Sequence, residues 1–234
     1  MRTTGVDLVP NFETIENEVQ TPKNRTLHIV QCIIKRMLDI LGGIVGVIIL
    51  IPITLIIYIV RKIKKEDDGS VFYEQLRIGK NGKYFKIYKY RTMVVGADEK
   101  LEEYLNENPE AREEYKKYKK LKSDPRVTQI GDFLRKTSID ELPQLINVLK
   151  GEMSLVGPRP YLPREKEEMG NSYESISSCK PGITGYWQVN GRNNLSFQER
   201  LNMDCYYVKN RNLKEDMKLL VKTVAFVVRK EGAA

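Results

Sequence analysis

The chain has 234 residues, with 39 Lys and Arg against 31 Asp and Glu and a formal net charge of +8. Its cysteines, Cys32, Cys179 and Cys205, are odd in number and form no C-x-x-C pair, and His28 is its sole histidine. A disulfide framework, a Cys/His zinc centre and a His-based triad are thereby excluded, and the thiols suit a reducing compartment. The positive charge suits nucleic acid, an anionic leaflet or phosphorylated substrates, and charge alone does not choose among these.

Residues 1–26 are polar, carry Pro10 and Pro22, show no sustained apolar period, and read as a flexible tail. From Leu27 the apolar positions Ile29, Ile33, Ile34, Met37 and Leu38 recur at helical spacing and lead through Asp39 into residues 40–60, which hold no charged side chain. A straight helix over that run rises about 32 Å, against a hydrocarbon core of about 30 Å. Pro52 lies inside it, and both flanks are basic, Lys35 and Arg36 before and Arg61, Lys62, Lys64 and Lys65 after. A proline kinks or breaks a helix, and equal positive flanks give no orientation across a bilayer. The pattern over 27–65 predicts a re-entrant helix broken at Pro52 that enters and leaves on one face, with a kinked span as the alternative. Asp39 at the edge of the run predicts an interfacial ion pair with Lys35 or Arg36 one turn back.

Residues 66–234 are expected to form a cytosolic body lying against the membrane. Between Val71 and Met93 aromatic and β-branched residues surround Asn81-Gly82, a dipeptide that supplies the positive φ angles of a tight hairpin turn. The charged insertion 98–122 predicts two exposed helices interrupted at Pro109. Its lysines, Lys116, Lys117, Lys119 and Lys120, form either a surface for lipid headgroups or a solvated helix face. Met217, Leu220, Val221, Val224, Val227 and Val228 share one side of a C-terminal helix, which fits either an interfacial amphipathic helix or one packed on a core. The fold class is therefore mainly α with a small β-hairpin (α+β).

The densest chemical signal runs from Arg135 to Pro160. Leu142, Leu145, Ile146 and Leu149 follow a helical period that Gly151 closes, and Pro143, tolerated only in a first turn, predicts a helix start near Asp140. Asp140 and Glu141 would then sit at a helix N-terminus, where the dipole and free N–H groups favour anions. Ser138 to Glu141 also fits a capping box, a purely structural role. A second cluster, from Lys180 to Arg192, combines Pro181, three glycines expected to turn tightly and expose backbone N–H groups, and the guanidinium fork of Arg192. Two carboxylates, the arginines Arg135, Arg159 and Arg192, and a membrane anchor describe a site for a divalent cation and a pyrophosphate beside a bilayer.

The same segments carry a family resemblance. Lys35-Arg36 with Asp39 before the proline-containing helix, Phe85-Lys86-Ile87-Tyr88-Lys89 with Arg91-Thr92-Met93, Ser138-Ile139-Asp140-Glu141-Leu142, Gly151 through Pro160, and Pro181 to Arg192 resemble, in order over about residues 30–230, the bacterial sugar transferases, and more narrowly the small monotopic phosphoglycosyl transferases. The resemblance implies a monotopic protein of the bacterial inner (cytoplasmic) membrane, its catalytic domain on the cytoplasmic face. It implies transfer of a phosphosugar from a UDP-sugar to polyprenyl phosphate, with release of UMP, as a first membrane step of glycoconjugate or exopolysaccharide synthesis. Asp140 matches the family's nucleophile, which takes the phosphosugar covalently, and Glu141 the second member of its dyad, in metal positioning or proton management. Arg192, Arg159 and Arg135 match phosphate-binding positions, and Mg²⁺ would be held by Asp140, Glu141 and substrate phosphates. Ile51 stands before Pro52 where many relatives carry a small polar residue.

Partners implied are a UDP-sugar, polyprenyl phosphate and membrane lipids, with no nucleic acid; a homo-oligomer is compatible with the pattern. The alternative is a non-enzymatic basic adaptor of a polysaccharide assembly complex, which predicts no loss on Asp140→Asn.

Overall fold

In the computed structural model, which describes residues 25–65, 69–191 and 195–229, the apolar run belongs to one helix, α1 (Arg25–Lys64). The predicted break at Pro52 is absent: the helix continues through the proline. Pro52 removes a single N–H from the ladder, and the helical assignment runs unbroken on either side of it. One turn further on, the Thr54 hydroxyl donates to the Leu50 carbonyl at 2.8 Å and lies 2.5 Å from the Tyr90 hydroxyl.

One side of α1 is bound to the body over most of its length. Lys35 pairs with Asp216, Leu50 and Ile57 pack with Tyr90, Ile130 and Leu134, and Arg61 donates to the Ser70 and Gly69 carbonyls. Ideal Cβ atoms on Gly43 and Gly46 would come within 2.6 Å of Leu149 and 2.4 Å of Leu145, so a side chain at either position would have to displace those leucines. The opposite side, including Leu41, Ile48, Ile51, Leu55 and Ile63, is exposed. The stretch Ile29–Lys64 is long and apolar enough to cross a membrane, and only 17% of its most apolar window is buried, which is unlike a core helix. Asp39 forms no ion pair with Lys35 or Arg36. It is buried and accepts from Ser154 Oγ at 3.0 Å and Leu155 N at 2.8 Å, because the body covers this end of the helix.

Strands β1 (Phe72–Ile78) and β2 (Tyr84–Tyr90) form an antiparallel hairpin in the register Phe72↔Tyr90 to Ile78↔Tyr84. Its turn has positive φ at Asn81 (57°) and Gly82 (72°), as the dipeptide predicts. The charged run forms α2 (Ala97–Glu107) and α3 (Pro109–Tyr118), parted at Asn108 with Pro109 opening the second helix. Helix α4 (Gln129–Lys136) follows, its N-cap Thr128 accepting from Gly131 N at 2.9 Å.

The predicted helix start at Asp140 lies further on, in α5 (Gln144–Lys150). Ile139–Glu141 forms a 3₁₀ turn, entered through Ser138 at φ 57°, a left-handed conformation in which its side chain makes no cap. Proline has no N–H to give to the Ile139 carbonyl, so an α ladder cannot begin before Pro143. Gly151, at φ 82°, closes α5 as its position predicts.

Beyond α5, β3 (Ser154–Val156) pairs in parallel with β4 (Gly182–Thr184), across α6 (Lys166–Met169) and α7 (Ser172–Ser177). The pairing is unannounced by sequence, since each strand is only three residues long. Helices α8 (Tyr186–Asn190), α9 (Phe197–Asn210) and α10 (Leu213–Arg229) complete the chain. Helix α10 divides its apolar residues: Leu219 is buried with Val156, Val189 and Tyr207, whereas Met217, Val221 and Val224 are exposed in a stripe.

Candidate functional site

The Ile139–Glu141 turn is held between α4, α5 and β2, and it presents two adjacent carboxylates in different surroundings. Asp140 is buried, 9% exposed, and burial pushes its carboxyl up to about 6 against the pull of Lys89 and Arg135, with Glu141 adding to the rise. Burial would raise Glu141 as well. Lys89, whose Nζ lies 2.6 Å from Glu141 Oε1, together with Arg159 and Arg77, instead holds it below the usual carboxylate range. One carboxylate is thus desolvated and basic, and its neighbour is firmly ionised inside a ring of cations.

The surrounding cations are fixed from several elements. Arg135 Nε donates to Thr92 Oγ1 at 2.9 Å, which turns the last residues of α4 toward Asp140. Arg77 is buried in β1 and donates to the Pro160 carbonyl at 2.9 Å and to Gln75, while its Nε has no hydrogen-bond partner among the described residues. Burial first, and then Arg159, lower the Arg77 guanidinium to about 9. The loop carrying Arg159 is steered from below by Asp204, which is fully buried and accepts from Arg159 N at 3.2 Å and from the Tyr161 hydroxyl at 2.8 Å. Asn147, also buried, takes the N–H of Tyr88 at 3.1 Å and gives to the carbonyl of Lys86 at 2.8 Å, locking α5 beside the strand that bears Lys89.

Of the residues singled out from sequence, the fold brings Asp140, Glu141, Arg135 and Arg159 together, and Arg192 lies outside the described residues. Lys89, Arg77, Asn147 and Asp204 were not singled out as site residues. The available signals were polar residues inside otherwise apolar periods: a lysine and an arginine in the hairpin strands, and an asparagine among the core positions of α5.

The glycines between Lys180 and Arg192 work differently from the tight-turn expectation. Gly182 lies in β4, and its N–H donates to the Pro158 carbonyl at 2.8 Å. A Cβ on Gly182 would lie 2.0 Å from Gly157 N and one on Gly185 2.3 Å from Gly157 O. These glycines serve close backbone packing that sets the Arg159 loop.

No group of three or more His, Cys, Asp or Glu suited to a metal occurs among the described residues. The two carboxylates fit a cation that retains water and takes much of its coordination from substrate phosphates, as Mg²⁺ does, and do not fit an ion needing an all-protein cage. Chemically, the arrangement offers a desolvated carboxylate oxygen on Asp140 near Lys89 and Arg135, with Arg159 and Arg77 acting on the adjacent Glu141, a charge pattern suited to a group carrying several negative oxygens.

Comparison with known proteins gives a consistent pattern. A family model described as bacterial sugar transferase matches residues 30–230. An uncharacterized sugar transferase of Haemophilus influenzae is 49% identical over 201 residues, covering 86% of this chain and 42% of its own length. The undecaprenyl-phosphate galactose phosphotransferase of Salmonella typhimurium is 47% identical over 200 residues, 86% of this chain and 41% of its own. The exopolysaccharide production protein ExoY of Rhizobium meliloti is 44% identical over 199 residues, covering 85% of this chain and 87% of its own length. The chain thus spans about two fifths of the first two relatives and most of the third.

Proposed function

We propose, from the premise that this chain belongs to the bacterial sugar transferase family, that it transfers a sugar 1-phosphate from a UDP-sugar to a polyprenyl phosphate at the inner face of the bacterial cytoplasmic membrane. The observation that carries this reading is Asp140: a buried carboxylate of raised basicity, flanked by Lys89, Arg135 and the ionised Glu141. The names of relatives that act on undecaprenyl phosphate with galactose or glucose 1-phosphate support the substrate class.

In the first step an Asp140 carboxylate oxygen attacks the phosphorus bonded to the sugar. The bond from that phosphorus to the bridging oxygen breaks, UMP departs with that oxygen, and the phosphosugar remains on Asp140. In the second, an oxygen of polyprenyl phosphate attacks the same phosphorus, the acyl-phosphate bond breaks, and Asp140 returns as a carboxylate beside polyprenyl-diphosphate-sugar. Desolvation keeps the Asp140 oxygen unshielded by water. Lys89 holds Glu141 in place, and Arg135, Arg159 and Arg77 oppose the charge that gathers on the phosphoryl oxygens. Mg²⁺ held at Asp140 and Glu141 would supply further neutralisation of the diphosphate. The exposed apolar side of α1 and the stripe on α10 support a body seated on the bilayer, and the contacts of Lys35 with Asp216 and of Arg61 with Ser70, near the two ends of the unbroken α1, support both ends lying on the face that carries the body.

The test is UMP release by the full chain in detergent with Mg²⁺, polyprenyl phosphate and a panel of UDP-sugars. Release with one donor, abolished by Asp140→Asn, supports the reading and names the sugar. Equal release by folded Asp140→Asn overturns the covalent route. The absence of release with every donor returns the chain to the adaptor alternative.

A further inference from the structure

At the far end of α5 from Asp140 a second group of cations faces solvent. Arg36 reaches from α1 to the C-terminus of α5, donating to the Val148 carbonyl at 2.7 Å and the Leu149 carbonyl at 3.0 Å. These bonds use two of the five guanidinium N–H donors. Lys180, in the segment entering β4, makes no hydrogen bond or ion pair among the described residues. Arg36 Nη2 and Lys180 Nζ each lie 3.5 Å from the point that a Cβ on Gly151 would occupy. The two cations therefore converge over a residue with no side chain to fill the space between them. Lys80, on the hairpin turn, adds a third positive charge, and Asp39 is the acidic group that tempers the cluster. Burial, then Arg36 and Lys80, depress the Lys180 ammonium, so the cluster gains by receiving an anion.

Immediately beside Arg36 the surface becomes apolar. Ile29, Cys32, Ile33 and Met37 line, with Arg36 itself, an open groove on the N-terminal part of α1, where Ile29, Ile33 and Met37 are 51%, 54% and 65% exposed. A free anion would use the cations and leave the groove bare. A glycerophospholipid fits both features, its phosphodiester between a guanidinium fork and an ammonium and its acyl chain along the groove. Seven residues of α5 separate this place from the Asp140 turn, about 10 Å of helix, so the acceptor phosphate at the catalytic carboxylates does not account for it.

We infer that Arg36 and Lys180 form a headgroup site for an anionic glycerophospholipid, with Lys80 on the hairpin turn adding positive charge nearby, distinct from the catalytic site, which fixes the N-terminal part of α1 at the membrane surface. This goes beyond the proposed transferase reaction and does not depend on it.

The test uses the full chain in nanodiscs of mixed phosphatidylglycerol and phosphatidylcholine, with retained lipid counted by native mass spectrometry after release. Phosphatidylglycerol is retained in preference to phosphatidylcholine. Lys180→Gln lowers its retention about fivefold, the factor that ~1 kcal/mol per basic residue near an anionic surface gives. Lys180→Arg keeps it, as does Lys100→Gln, a charge control at an exposed position of α2. Ile33→Gln also lowers retention, through the groove. Should Lys180→Gln fail to fold, Lys80→Gln shows a smaller loss in the same assay. Equal retention of the two lipids, retention unmoved by the lysine substitutions, or complete displacement by inorganic phosphate with no effect of Ile33→Gln overturns the inference.

Discussion

Lys89 Nζ and Glu141 Oε1, 2.6 Å apart, join the C-terminal end of β2 to the turn that presents Asp140. The pair is partly buried, and Lys89 helps hold the Glu141 carboxyl below its ordinary range. Replacing Lys89 by Met removes that support and leaves Glu141 beside Asp140 without its nearest counter-charge. UMP release is expected to fall by about 10²–10³, the range for losing one preorganised charge stabiliser, and Lys89→Arg to recover part of it. Steady-state kinetics on folded variants decide the point, and an effect confined to KM would reassign Lys89 to substrate binding alone.

Arg77 tests whether the buried arginine works on phosphate or only on the fold. Its Nη1 donates to the Pro160 carbonyl, its Nε has no hydrogen-bond partner among the described residues, and its charge acts on Glu141. Arg77→Lys retains a charge and loses the fork, so donor KM is expected to rise severalfold with a small change in melting temperature. A large loss of stability at unchanged KM would make the residue purely structural.

Asp204 supplies a pH signature. Burial pushes its carboxyl up to about 7, opposed by the bonds from Tyr161 and Arg159 N. Because the folded pKa lies above the ordinary value near 3.8, the folded chain binds the extra proton. The stabilisation from this group is complete below about pH 4 and is lost as pH rises through about 7. Asp204→Asn keeps an acceptor for Tyr161 and Arg159 and carries no charge. The melting temperature of wild type relative to this variant should therefore decline between pH 4.5 and 7.5; a constant difference would refute the assignment.

Gly46 tests the seating of α1. Its Cβ would stand 2.4 Å from Leu145 Cδ1, so Gly46→Ala overpacks the contact with α5 and is expected to cost about 1–3 kcal/mol. Leu145→Ala introduced alongside should return part of that loss, a coupling that denaturant unfolding in detergent measures through a double-mutant cycle.

The one-face placement of α1 is checked by labelling single cysteines at Thr26 and Lys64, in a chain lacking Cys32, Cys179 and Cys205. In sealed vesicles both react with an impermeant maleimide from the same side. Reaction from opposite sides would mean that α1 crosses the bilayer.

Much of this arrangement could be read from local pattern. The hairpin turn is fixed by two residues that tolerate positive φ, the apolar helix by composition, and the end of α5 by Gly151. Asp140 and Glu141 stood out because acidic residues beside a proline-marked helix start are chemically suggestive. What escaped depends on contacts between distant segments. Asp39 seemed poised for its basic neighbours one turn back, yet Ser154 and Leu155 reach it first. Lys89 and Arg77 are unremarkable in strands until α5 and the Pro160 loop close over them. Pro52 promised a break because the sequence shows the lost donor and says nothing of Tyr90 and the packing that accompany that turn.

Asn147 has a consequence for behaviour in a crowded membrane. A two-stranded ribbon leaves the outer edge of each strand free to recruit a strand from another copy, the usual start of edge-to-edge aggregation. By taking the Tyr88 N–H and answering the Lys86 carbonyl, the Asn147 amide stands in for the peptide group of a missing third strand. One planar side chain on a helix thereby blocks that edge of β2 to other molecules.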